Sequence, residues 1–239
     1  TLRVTPARKV TFEKELHKLM DKAKVAYDQF SAPPSTSTPL PNKVANPHGA
    51  QGYGFTGQTT YVEQQLVVSK ASLNVDGRDS TNQTMAKAYG HGITNLPASE
   101  YSGRDDSAAG GLGEAWCHLI AHCLGGAESA DNLVAGSQGS NLVQLGIEQA
   151  IKSFVDKHNV TLLIRVGADV RLLSNGAITH IADKFYYQIF DSTNNQKIYQ
   201  TSYSADILRA DTLQKAKSDE TTKALYEYFG LPLPKKLVA

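Results

Sequence analysis

The chain has 239 residues, 41% of them hydrophobic and 20% charged, with 24 Lys and Arg against 23 Asp and Glu. That length supports a substantial core, as one large domain or a domain with an appendage, and the near-zero net charge argues against a broadly basic nucleic-acid-coating protein unless the positive residues gather on one face. Two cysteines, Cys117 and Cys123, exclude a disulfide-rich secreted scaffold, and no apolar run approaches the roughly 18 to 20 residues that cross a bilayer, so no membrane partner is expected.

The sequence opens at Thr1 with no basic-then-apolar leader, which fits either removal of a leader or excision from a longer chain. Phe12, Leu16, Leu19, Met20, Ala23, Tyr27 and Phe30 fall on one stripe, predicting an amphipathic helix over 10–30 with Thr11 as its cap and a Lys-rich outer face. From Ser31 to Gly57 the density of Pro, Ser and Gly predicts an irregular connector, so the first domain boundary is expected near residue 57. TTYVEQQLVV, 59–68, reads as a strand, and Ala71–Val75 as a second. Arg78–Gly113, rich in Gly, Asp, Ser and Asn, reads as a long loop, a length that is often functional. Leu112–Ala121 then reads as a strand entering a turn, Asn132–Ala135 as its return, and Ser140–Lys157 as a helix. After Asn159, three β-rich runs separated by SNG and DSTNNQ predict an antiparallel meander, and a last helix ends at Phe229 before Gly230, Pro232 and Pro234. The expected fold class is α+β.

The segment WCHLIAHCLGGAESADNLVAGSQGSNLVQLGIE, from Trp116 to Glu148, carries the chemistry. His118, in an apolar strand, is an imidazole held in one orientation, suited to taking a proton near neutral pH. Asn141, opening the helix, offers an amide oxygen suited to Mg²⁺ or a similar hard cation. Glu148 lies two helical turns further on, on the same face, where a carboxylate can hold metal-bound water. The blander readings are a hydrogen-bonded core histidine, an N-cap asparagine and a solvated helix carboxylate. Cys117, His118, His122 and Cys123 also offer zinc ligands, though at poor tetrahedral spacing.

HLIAHCLGG, DNLV and Asn141, 23 residues beyond His118, together resemble the ββα-metal finger of HNH and DNA/RNA non-specific endonucleases. The resemblance implies a ββα-metal finger at about 112–157, inside a nuclease domain spanning 58–239 with a flanking antiparallel sheet and peripheral helices. It implies a metal-dependent endonuclease in which His118 is the general base and Asn141 the metal ligand for Mg²⁺, with Mn²⁺ as a substitute. Asn132 matches the asparagine that braces the finger loop, Glu148 the carboxylate that orients metal-bound water, and His122 a secondary phosphate contact. Cys117 stands where many HNH sequences carry a second metal ligand, and Trp116 where the non-specific branch carries arginine. Thiolate suits Mg²⁺ poorly, so the phosphate-clamping arginine is expected from Arg104, Arg78 or Arg165, with Arg104 favoured. The implied partners are DNA, RNA or both, with little sequence preference, and an inhibitor or immunity protein if the chain is a toxin domain. Its expected location is outside the producing cell. A non-catalytic module holding zinc is the alternative.

Overall fold

A computed structural model describes residues 32–48, 54–73, 80–90, 92–104 and 111–237. The helix expected over 10–30 lies outside these residues, as does Arg78. The described elements belong to a compact unit covering Pro33–Ala239. It is α+β. The strands are β1 (Phe55–Val68), β2 (Glu114–His118), β3 (Leu133–Ser137), β4 (Leu162–Leu173), β5 (Ile178–Asp191) and β6 (Lys197–Ser204). The α-helices among the described residues are α1 (Thr81–Tyr89), α2 (Ala98–Ser102), α3 (Gln138–His158) and α4 (Asp211–Tyr228). None of them is long and apolar enough to cross a membrane.

The six strands form one sheet in the order β1-β4-β5-β3-β2, with β6 also on β5. The long strand β5 organises it. One edge carries β4, while the other is shared by β3, through a parallel bridge at Ala135–Ile181, and by antiparallel β6. Period-2 alternation explains the main core: Val62, Ile164, Val166, Ala168, Val170, Phe185, Tyr187 and Ile189 point to one face, where Val143, Ile147, Ile151 and Phe154 of α3 meet them. Each fully buried large apolar side chain contributes about 1.5–3 kcal/mol. Helix α4 lies on α3 because Gly146 has no side chain; a Cβ there would come within 2.6 Å of the Gln214 carbonyl oxygen.

The β2–β3 ribbon is covered on both faces, which is why LVAGS is buried throughout rather than alternating. Ala115, Cys117 and Val134 join the core under α3. Trp116, Leu133 and Ala135 join a second core with Met85, Leu96 and Tyr101, supplied by α1, α2 and the loop between them. The stretch expected to be a loop over 78–113 therefore contains two helices, each built on a few apolar anchors and ended by a glycine at positive φ, Gly90 and Gly103. The strand expected at Ala71–Val75 is, over its described part, a single 3₁₀ turn, Lys70–Ser72. The Ser72 hydroxyl accepts from the Ser69 amide and donates to the Ser69 carbonyl, diverting that backbone from a ladder. Within the expected connector, Thr38 bridges to Val62, and Leu40 and Val44 are buried.

Candidate functional site

Strands β2 and β3 pair antiparallel from Glu114–Ser137 to His118–Leu133, so residues 119–132 arch over the strand end beside His118. The arch is tight. Gly125 adopts φ +104° and its amide bonds the His122 carbonyl, while the Gly126 amide bonds the Ala121 carbonyl. A Cβ on Gly126 would sit 1.9 Å from the Ile120 carbonyl oxygen, so the second glycine is dictated by a close approach of backbone.

Asn132 fastens this loop from within. Its side-chain oxygen accepts from the Ile120 amide at 2.9 Å, and its nitrogen donates to the carbonyls of Ile120 and Ala127 at 2.9 and 2.8 Å. The residue is 4% exposed, and its two bonds to Ile120 are shielded from water.

His118 ends β2 and is buried. By strand alternation its side chain leaves the ribbon on the face of Trp116, opposite to Cys117 and α3. Its Nε2 lies 2.8 Å from Oε1 of Glu128, a residue that sequence reasoning missed. His122 approaches the same oxygen, its Nδ1 at 3.8 Å, so two imidazoles flank one carboxylate. In the tautomer that donates from Nε2 to this carboxylate, Nδ1 is the basic ring nitrogen. The hairpin register held the clue. Of the two acids inside the arch, Glu128 meets the ring, and Asp131 accepts from the Ser129 hydroxyl at 2.5 Å.

Helix α3 begins at Gln138, and its N-cap is Ser137, whose hydroxyl accepts from the Ser140 amide and donates to the Ile207 carbonyl. Asn141, expected to open the helix, is its fourth residue. It is half-buried, and its side chain has no hydrogen-bond partner among the described residues. One turn on, Gln144 donates to the carbonyls of His118 and Leu119, which ties α3 to the strand end. Glu148, next on that face, is buried and faces the sheet. Burial lifts the phenols of Tyr187 and Tyr203 far above their ordinary range, with the adjoining Glu148 carboxylate adding to it.

Arg104 sits at the other end of β2. Its guanidinium donates to Glu114 at 3.0 Å and to the carbonyls of Ala135 and Ala182 at 3.0 and 3.1 Å, joining β2, β3 and β5. Trp116 donates its indole N–H to the Leu96 carbonyl at 2.7 Å.

Both cysteines are free thiols. Burial pushes the Cys117 thiol up to about 12, so it stays protonated at neutral pH. Among the described residues no three His, Cys, Asp or Glu side chains converge to hold a metal, and that includes the Cys117, His118, His122 and Cys123 set considered for zinc. A site built on one asparagine oxygen and water lies outside that test. The structure thus gathers His118, Glu128, His122 and Asn132 in one arch, sets Asn141 on the adjoining helix, and leaves Arg104 apart. Comparison with protein-family models, curated proteins and solved structures returned no match.

Proposed function

We propose that the chain is a metal-dependent endonuclease with a ββα-metal finger formed by β2, β3 and α3, hydrolysing phosphodiester bonds of DNA, RNA or both. The observation that carries this reading is the His118–Glu128 pair at the end of β2, inside an arch fastened by Asn132, with α3 tied to the same strand end through Gln144. A carboxylate on one ring nitrogen orients an imidazole and balances the positive charge it acquires on taking a proton, the logic of any oriented histidine base.

His118 takes the proton of the attacking water. Glu128 holds the ring and stabilises the imidazolium, and is a positioning residue. His122, partly exposed beside the same carboxylate, receives the phosphate. Arg104 secures the ribbon through Glu114 and the carbonyls, instead of clamping phosphate. Asn141 fits a hard divalent cation: the residue is half-buried, and its amide oxygen is a neutral donor unengaged among the described residues. Mg²⁺ or Mn²⁺ bound there supplies Lewis-acid stabilisation of charge on the phosphate and leaving oxygen. Glu148 is buried on the same helix face, and the resemblance would make it the carboxylate that orients metal-bound water.

Cleavage is proposed to be largely sequence-tolerant, and an inhibitor protein and release from the producing cell follow from the resemblance in the finger. The test is incubation of supercoiled plasmid and of total RNA with the protein in Mg²⁺, Mn²⁺, Zn²⁺ or chelator. Breakdown of at least one substrate in Mg²⁺ and Mn²⁺ and none in chelator is expected. Cleavage undiminished by chelator removes the metal from the account, and no cleavage of either polymer removes the nuclease.

A further inference from the structure

On the sheet face opposite α3 lies a cleft of about 230 Å³, with Arg165, Gln188, Glu63 and Phe190 from the strands and Pro33 and Pro34 on its rim. Its floor is set by register. Arg165 of β4 is directly opposite Gln188 of β5, and Glu63 of β1 is opposite Gly167, one diagonal step from Arg165. Gly167 makes a dip, and the Tyr61 ring lies across it; a Cβ there would overlap the ring at 2.4 Å. Tyr61 donates its hydroxyl to Glu63 Oε2 at 2.7 Å, which fixes the carboxylate.

Arg165 is the unusual member. Its guanidinium carbon stands 4.9 Å from the Phe190 ring centroid, and its Nε is buried with no hydrogen-bond partner. No ion pair or hydrogen bond engages this cation among the described residues. Gln188, also lining the cleft, spends its amide nitrogen on Gln200. The cleft therefore offers a planar cation already stacked on one aromatic face, a fixed carboxylate one diagonal step away, and a proline rim.

We propose that this cleft binds a guanine base. Guanine presents acceptors, O6 and N7, on one edge, which a guanidinium meets with two parallel bonds. Its N1–H and N2–H₂ donors, on the Watson–Crick edge, meet a carboxylate. Unpaired bases are read in this way, stacked on aromatic or guanidinium planes and bonded along their edges. Adenine reverses the pattern, placing a donor amine toward Arg165 and an acceptor N1 toward Glu63. Under the proposed nuclease function the cleft adds a guanine preference to otherwise tolerant cleavage, but the binding itself does not depend on that reading.

The test is equilibrium titration of the full chain with 5′-GMP, 5′-IMP, 5′-AMP, 5′-CMP and 5′-UMP in chelator, where no cleavage interferes. GMP is expected to bind at least about tenfold more tightly than AMP, CMP or UMP, with IMP, which lacks the exocyclic amine, between them. Glu63→Gln, an isosteric change, is expected to bring GMP to the level of AMP, and Arg165→Lys to weaken GMP at least about tenfold at an unchanged melting temperature. His118→Ala keeps the preference for GMP, which separates failure of this site from failure of the nuclease. Equal binding of all five nucleotides, or no saturable binding of GMP, overturns the proposal.

Discussion

At the scale of single residues, the site rests on what each polar side chain touches. Glu128→Gln retains the volume of the partner to His118 but loses its charge, so an imidazolium formed in the proposed reaction would be less stabilised. The expected result is a kcat lower by about 10- to 100-fold with KM and melting temperature unchanged. A matched fall in stability instead would mark Glu128 as a structural prop alone. Cys117, its thiol raised to about 12 by burial, is expected to resist iodoacetamide in the folded chain, while half-buried Cys123 reacts first. Mass spectrometry of singly alkylated protein reads which cysteine carries the label. His118, His122 and Asn132, singled out through the resemblance in the finger, fall together because the arch that unites them is one local segment. Glu128 was not singled out, because its claim depends on the His118–Leu133 register, which a sequence does not display.

At the scale of elements, the arch and the start of α3 are held by side chains that replace missing backbone bonds. Removing Asn132 as Asn132→Ala leaves a buried amide and two carbonyls without partners, at a cost of about 2–4 kcal/mol in urea unfolding. A loss under 0.5 kcal/mol would mean the loop is held by its glycines instead. The elements with clear periodicity, β4 to β6, α3 and α4, follow the pattern read from the sequence, since a long stripe or alternation survives tertiary context. The misses lie where the pattern is short. α1 and α2 hide in a polar stretch because each needs only a few anchors, such as Met85 and Tyr101, to dock on Trp116 and Leu133. Asn141 reads as a cap because Asn is a good one, yet Ser137 takes that place with an additional bond to Ile207 across 70 residues.

At the scale of the whole molecule, the two cores meet at the β2–β3 ribbon, and His180 marks the junction. It is buried, its Nδ1 bonds the Leu133 carbonyl at 2.8 Å, and its amide donates to the Tyr101 hydroxyl. Burial holds its imidazole below the ordinary value, against carbonyl bonds that pull it upward. The folded chain thus binds fewer protons than the unfolded one just below the ordinary imidazole pKa of about 6.5. The contribution of His180 to stability is complete above that pH and is lost progressively as pH falls beneath it. Urea unfolding at pH 7.5 and 5.5 is expected to show this loss, and His180→Gln, which keeps a donor for Leu133, is expected to reduce it; an identical loss in the variant would assign the pH dependence to other groups. The α+β class was legible from the order of runs, but the crossing of β3 onto β5 was not, since a single parallel bridge at Ala135–Ile181 leaves no local pattern.

We propose that His118, at the end of β2, and Asn141, on α3, flank one phosphodiester from the two sides of that strand end, one as base and one as metal ligand. The most direct measurement of this claim is single-turnover cleavage of a labelled nucleic acid in Mg²⁺ by the wild-type chain, His118→Ala and Asn141→Ala, with circular dichroism of each. A loss of at least about a thousandfold is expected in both variants, with native spectra and melting temperatures. Cleavage by either variant within a few fold of wild type would contradict it.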